Sequence, residues 1–198
     1  MKYKIPFIKP ELPPAEDLID CYKQIVDSNW FSNFGPLEQK LCKNAENYIG
    51  QGVFVTTVSN ATTGLMLAIK TLMKPKPGQK QVLVPAFTFA AGPEAIIWCG
   101  LEPVFIDVNR QTWQPNLDQA QRYLQENQDQ VAGILFCNIF GVGAPEIDRW
   151  ENLAQEFGVP LIIDSAAGFG SEYEDGNKLG GKGDCEVFSF HVTKPFGV

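Results

Sequence analysis

The chain predicts an α/β fold organised on a mostly parallel sheet. Three features point to it. Short runs rich in β-branched and aromatic residues alternate with longer runs of helical apolar spacing. Strands separated by helices are joined by right-handed crossovers, which lay them parallel. The 198 residues are 44% hydrophobic, enough for a sizeable core in one domain of ordinary size.

Taken in order, two helices come first, over residues 13–28 and 36–49. Pro13, Pro14 and Pro36 suit first-turn positions, where a missing N–H costs nothing. They make residues 1–50 an N-terminal helical segment ahead of a domain spanning 51–198. VFVTTV (53–58) predicts a first strand, and NATTGLMLAIKTLM (60–73) a helix with Leu65, Ile69 and Leu72 on one face. QVLVP (81–85) predicts a strand, and AAGPEAIIWCG (90–100) a short helix closed by Gly100. PVFID (103–107) is a third strand, followed by a helix over 116–127 capped by Asn116. VAGILFCNIF (131–140) is a fourth strand, PEIDRWENLAQEFG (145–158) a helix, PLIID (160–164) a fifth strand and EVFSF (186–190) a sixth. YEDGNKL (173–179) reads as a tight hairpin turning at Asp175-Gly176.

Composition narrows the function. A net charge of −7 argues against a nucleic-acid surface, which needs clustered Lys and Arg, while leaving room for a local anion site. The five cysteines are scattered without a CxxC pair, and a single histidine, His191, cannot build a zinc cluster with them. Most of them read as buried small hydrophobes of a reduced, cytoplasmic protein. The N-terminus has no apolar run of signal-peptide length, and nowhere does the chain approach a membrane span. No metal site is expected.

In open α/β sheets ligands bind beyond the carboxyl ends of the strands, which singles out 59–63, 85–89, Asn138 and 164–167. SNATTG (59–64) joins a strand to a helix and offers free amides and Thr hydroxyls as an anion cradle, although a plain N-cap is the commoner use of Ser59 or Asn60. Asp164 ends PLIID before small residues; it is suited to a cationic ligand, or to capping a turn. In FSFHVTK, Ser189 is a ligand hydrogen-bonder and Lys194 a Schiff-base amine, against the usual fate of a lysine as solvated charge. His191 reads as packed and hydrogen-bonded, with no hydrolase-like order of Ser, His and Asp. Mononucleotide and dinucleotide motifs are absent. Taken together, an early anion cradle, a late aspartate and a lysine 30 residues after it match the needs of pyridoxal 5′-phosphate (PLP). That cofactor has a phosphate, a ring nitrogen to keep protonated and an aldehyde to hold.

With these residues in view the sequence resembles the DegT/DnrJ/EryC1/StrS sugar aminotransferases, within the fold-type I PLP enzymes. The resemblance covers nearly the whole chain, through NWFSNFGPLEQKL, VSNATTGL, VLVPAFTFAAGPEAI, EPVFIDVNRQTW and, most specifically, IIDSAAGFGSEYEDGNKLGGKGDCEVFSFHVTK. It implies a three-layer α/β/α sandwich. It implies that Thr62 and the backbone around Ala61 and Thr63 hold the phosphate, that Phe89 stacks on the pyridine ring and that Asp164 pairs with its nitrogen. Ser189 would support the phosphate and Lys194 would form the Schiff base. It further implies a homodimer that moves an amino group from a donor such as glutamate to a nucleotide-linked keto-sugar. The chain departs from the pattern at Ala61, where glycine is frequent, at Ala167, where Gln or His is usual, and at Gly92-Pro93.

Family members continue past this point into a small C-terminal domain, so the chain is expected to be the large-domain portion of a longer enzyme. In the resembling fold an antiparallel strand separates the sixth strand from the first. Segment 53–58 is therefore expected to face a gap, to pair directly with 186–190, or to borrow a strand, with weak PLP binding and little turnover. Three rivals stand beside the transaminase: a PLP-dependent sugar dehydratase, disfavoured by Lys194; a PLP-binding module without turnover; and an interaction domain that binds no cofactor.

Overall fold

A computed structural model describes residues 10, 12–50 and 52–197. In chain order these form helices α1 (Ala15–Ser28), α2 (Pro36–Ile49) and α3 (Ala61–Leu72), strand β1 (Gln81–Pro85), α4 (Ala91–Trp98), β2 (Glu102–Ile106), α5 (Leu117–Asn127), β3 (Val131–Cys137), α6 (Ile147–Phe157), β4 (Leu161–Asp164) and β5 (Cys185–Val187). The strands make one sheet in the order β2-β1-β3-β4-β5, and every neighbouring pair is parallel. The sheet is thus built by the helical crossovers that the alternation of runs predicts.

Side-chain alternation splits the core into two layers. Val82, Val84, Leu135 and Ile162 face α3 and α4 with Leu65, Ile69 and Ile96. Leu83, Ile134, Phe136 and Ile163 face α5 and α6 with Leu124, Trp150 and Leu153. This is the expected three-layer α/β/α sandwich. Local chemistry sets the helix ends. Pro36 occupies the first turn of α2. Asn60 and Asn116 cap α3 and α5 through their side chains. Gly158 ends α6 with φ +62°, a conformation open to glycine at little cost. The predicted hairpin closes by Tyr173 N–H to Asn177 O (2.8 Å) around Gly176.

Three strand expectations are corrected. Residues 53–58 join no strand, and no direct pairing with β5 forms, which overturns the second of the three expected arrangements. Strand propensity is realised only against a neighbouring backbone. Here α2 supplies the partners instead: Val55 N–H donates to Glu46 Oε1 (3.2 Å) and Thr57 Oγ1 to Glu38 Oε1 (2.7 Å). The fourth strand ends at Cys137 rather than 140, because Phe140 takes φ +53° within a short 3₁₀ turn. The last strand is Cys185–Val187, not 186–190; Ser189 N–H has already turned to Ala166 O (3.3 Å). Of the helical segment 1–50, residues 1–9 and 11 lie outside the described residues.

Candidate active site

The carboxyl end of the sheet assembles the predicted residues from four connections. At the start of α3, Asn60 Oδ1 accepts from Thr63 N–H (2.9 Å) and from Thr63 Oγ1 (3.1 Å), and Ser59 Oγ reaches Thr63 Oγ1 (3.3 Å). The Thr63 amide and hydroxyl are therefore used by the cap. The amides of Ala61 and Thr62 and the Thr62 hydroxyl have no partner among the described residues, and no acidic residue lies in this first turn. These are the groups at the positive end of the helix that an anion would take up. Gly64 lets this helix start approach the sheet: a Cβ there would lie 3.1 Å from Val187 Cγ1 and 3.2 Å from Val58 Cγ2. The cradle thus opens beside the end of β5, two residues before Ser189.

Asp164 closes β4 and shares the α3/α4 face with Ile162. It is 5% exposed. Its ladder partners are Cys137 on β3 and Val187 on β5. One donor among the described residues reaches its carboxylate, Ala166 N–H at 3.0 Å. Burial raises its pKa, opposed by that N–H and by the nearby Lys194 charge. Cys137 reports the same neighbourhood. Burial and the Asp164 charge push its thiol up to about 12, against a hydrogen bond from Thr88 and the Lys194 charge. Thr88, Cys137, Asp164 and Lys194 therefore converge, although 30 residues separate the last two. Phe89, next to Thr88, leaves its ring 78% exposed at the mouth of this cluster.

Lys194 is half-buried in a turn in which its N–H donates to His191 O (2.8 Å). Ser189 Oγ accepts from His191 N–H (3.3 Å), and His191 Nδ1 meets Thr193 Oγ1 (2.9 Å), so the histidine shapes the turn; it is hydrogen-bonded as expected but exposed rather than packed. Phe190 and Phe196 pack on Phe169 with ring centroids 4.9 and 5.3 Å apart, which anchors this segment.

A second cluster was not found from sequence. Glu186 pairs with Ile163 in the ladder, so it points to the α5/α6 face, opposite Asp164. Its carboxylate accepts from the Ser165 hydroxyl, from Gly180 N–H (2.6 Å), from Tyr173 OH (3.3 Å) and from Asn138 Nδ2 (3.4 Å). Asn138 also donates to Ser165 Oγ (2.8 Å) and accepts from Ala144 N–H (3.0 Å). Burial raises the Glu186 pKa despite these donors. The available signal was a charged residue inside an apolar strand; Asn138 was picked out by position alone. Among the described residues, no three His, Cys, Asp or Glu side chains gather to hold a metal ion.

The donor set fits PLP. Free helix-terminal amides suit a phosphate, a buried carboxylate short of donors suits a protonated ring nitrogen, and a half-buried amine stands near that carboxylate.

Comparisons with known proteins place the whole chain. The family model described as the DegT/DnrJ/EryC1/StrS aminotransferase family matches residues 14–198. Protein Rv3402c of Mycobacterium tuberculosis is 44% identical over 98% of this chain and 47% of its own length. The dTDP-4-amino-4,6-dideoxy-D-glucose transaminase of Shigella dysenteriae is 30% identical over 95% of this chain and 48% of its own. A crystal structure from Bacillus cereus, described as a PLP-dependent aminotransferase, superposes with a TM-score of 0.89 at 36% identity, covering 98% of this chain and 52% of that one. The chain spans about half the length of the curated relatives it matches.

Proposed function

The chain belongs to the DegT/DnrJ/EryC1/StrS aminotransferase family, whose enzymes depend on PLP, and from that premise we propose that it serves PLP-dependent transamination of a nucleotide-linked keto-sugar, with an amino acid such as glutamate as donor. The observation that carries this reading is the convergence of Lys194 and Asp164 at the sheet's carboxyl end beside the free N-terminus of α3. The substrate class is supported by the relative from Shigella, a transaminase of a dTDP-linked sugar. In this reading 1–50 is a helical arm and 51–198 the cofactor domain of a cytoplasmic homodimer. Its five cysteines are all free, as suits a reducing compartment. No described helix is long and apolar enough to cross a membrane.

The positions described above and the resemblance support these roles. The Ala61 and Thr62 amides and the Thr62 hydroxyl hold the phosphate, with the Thr63 side chain fixing the turn and Ser189 supporting it. Phe89 would lie over the ring. Asp164 holds a proton on the ring nitrogen; its elevated pKa is returned toward the ordinary range when a cation is placed against it. When bound, PLP supplies an aldehyde for the amine and an electron sink for carbanion charge. Lys194 holds that aldehyde and afterwards carries a proton as general base and acid.

The test is cofactor capture. Adding PLP to the chain is expected to produce a visible absorbance band that borohydride fixes to the peptide containing Lys194. Lys194→Ala should lose both signals. Fixation at another lysine, or an unchanged signal in the variant, overturns the assignment.

A further inference from the structure

Three unfavourable features gather beside the proposed active site, on the loops that follow β1, β2 and β3. Phe87, Trp113 and Phe140 come from these three loops and meet ring to ring, with centroids 5.2, 6.0 and 6.2 Å apart. All three stay open to solvent, at 41%, 49% and 70% exposure. Two of them, Trp113 and Phe140, hold left-handed backbone (φ +61° and +53°), which bulky side chains disfavour. Between them, Gln114 is 6% exposed; its Nε2 donates to Val142 O (3.2 Å), while its Oε1 is buried with no partner. That amide ties the Trp113 loop to the Phe140 loop at the expense of an unpaired acceptor.

Strain, an unmet acceptor and exposed aromatic surface at one place mark a site kept for a ligand. Its position says which. Phe87 precedes Thr88, which lies against Cys137, the ladder neighbour of Asp164. Phe140 follows Asn138, which bonds Ser165. The tilted and edge-on packing, with all three rings exposed, leaves flat aromatic surface on which a heterocyclic base can stack. Arg110, on the Trp113 loop, makes no ion pair or hydrogen bond among the described residues, so its guanidinium is available to a diphosphate. We propose that Phe87, Trp113 and Phe140 form a stacking platform for the base of the nucleotide-linked substrate. This rests on the substrate class proposed above and adds where its nucleotide is held.

The experiment titrates UDP, dTDP and GDP into the chain in the presence of saturating PLP, following tryptophan fluorescence and calorimetry. Trp113→Asn and Phe140→Asn remove a ring while keeping a residue that tolerates positive φ; Trp113→Tyr keeps an aromatic face. Each Asn variant is expected to bind its best nucleoside diphosphate roughly tenfold more weakly. The Tyr variant should stay near the parent, and PLP absorbance should be unchanged in all three. Equal nucleotide affinity in the Asn variants overturns the platform alone. A parent that takes PLP but none of the three nucleotides overturns the substrate class and the platform with it. An equal loss of affinity for a sugar 1-phosphate, or a change in sedimenting mass with nucleotide binding intact, overturns base stacking at these rings.

Discussion

Replacing Asp164 by asparagine is expected to stabilise the cofactor-free chain while weakening its response to PLP. Asp164 is almost wholly buried, with one N–H and a neighbouring ammonium as compensation. Burial outweighs both, since the carboxyl stays above its ordinary range. A carboxyl raised in this way contributes stability that is complete below its unfolded pKa, about 3.9, and is lost as pH rises through the folded value. At neutral pH the ionised group is therefore a net cost to folding. Asparagine keeps an acceptor for the Ala166 N–H at nearly the same volume and removes the charge. Replacing a buried ion pair whole by apolar residues is neutral or gains about 1–4 kcal/mol; here one charge that has no salt-bridge partner among the described residues is neutralised. The attraction of Lys194, lost in the variant, holds the gain near the lower end, roughly 1–2 kcal/mol.

For a domain of this size that gain corresponds to a Tm increase of about 2–8 °C. The assay is thermal melting by circular dichroism, near pH 8 and near pH 5, with and without PLP. Without PLP the variant should melt higher near pH 8, and its advantage should shrink toward pH 5 as the parent begins to protonate. With PLP the parent should gain more than the variant, because a ligand that binds only the folded state stabilises it by mass action. A variant that melts below the parent near pH 8 without PLP, or an advantage that grows on acidification, refutes the reasoning.

Three further outcomes are expected. Gly141→Ala should cost about 3 kcal/mol or more in denaturant unfolding, because Gly141 has φ +79° and a Cβ would sit 2.1 Å from the Ala167 carbonyl oxygen. Glu186→Ala should cost about 3 kcal/mol or more, since Ser165, Tyr173, Asn138 and Gly180 would lose a shared acceptor and each buried donor left unpaired costs about 1–3 kcal/mol. Glu186→Gln should lose less and gain on the parent as pH rises, because the elevated carboxyl makes the parent's own stability fall through that range; a difference independent of pH between 4 and 8 contradicts this. Asn60→Ala should lower Tm by about 2–4 °C, the worth of a side-chain cap near 1 kcal/mol, and an unchanged Tm tells against the cap.

What the sequence made legible was local. Gly100, Asn116 and Gly158 punctuate helices through chemistry confined to one turn, and QVLVP carries its burial in its own composition. What it hid was relational. VFVTTV has strand propensity but no information about a neighbour, and the neighbour decides. NIF reads as a continuing apolar strand, yet Asn138 is drawn into hydrogen bonds and Phe140 reverses the backbone. Asp164 stood out because a carboxylate closing an apolar strand must serve a ligand or a turn. Its nearness to Lys194 was no property of either residue; it follows from β5 lying beside β4. Glu186 stood in the sequence only as the first residue of EVFSF, and it is the α6 layer over its face that makes it a buried charge.

The two carboxylates on β4 and β5 also argue for the proposed site independently of any resemblance. Both are buried, and burial raises both. The parity of the strands sends them to opposite faces, Asp164 toward α3 and Glu186 toward α6. There the fold treats them differently. Four groups converge on Glu186, from the loops after β3 and β4 and from the hairpin region. Asp164 receives one N–H from two residues away. A chain able to gather donors around one buried carboxylate leaves its neighbour short of them. The exception falls on the face that also carries the free amides of α3 and the Lys194 amine. A charge left under-compensated inside a protein is tolerated where something else is to complete it, and the partner these surroundings favour is a cation with an anionic group attached. A protonated pyridine bearing a phosphate has that form.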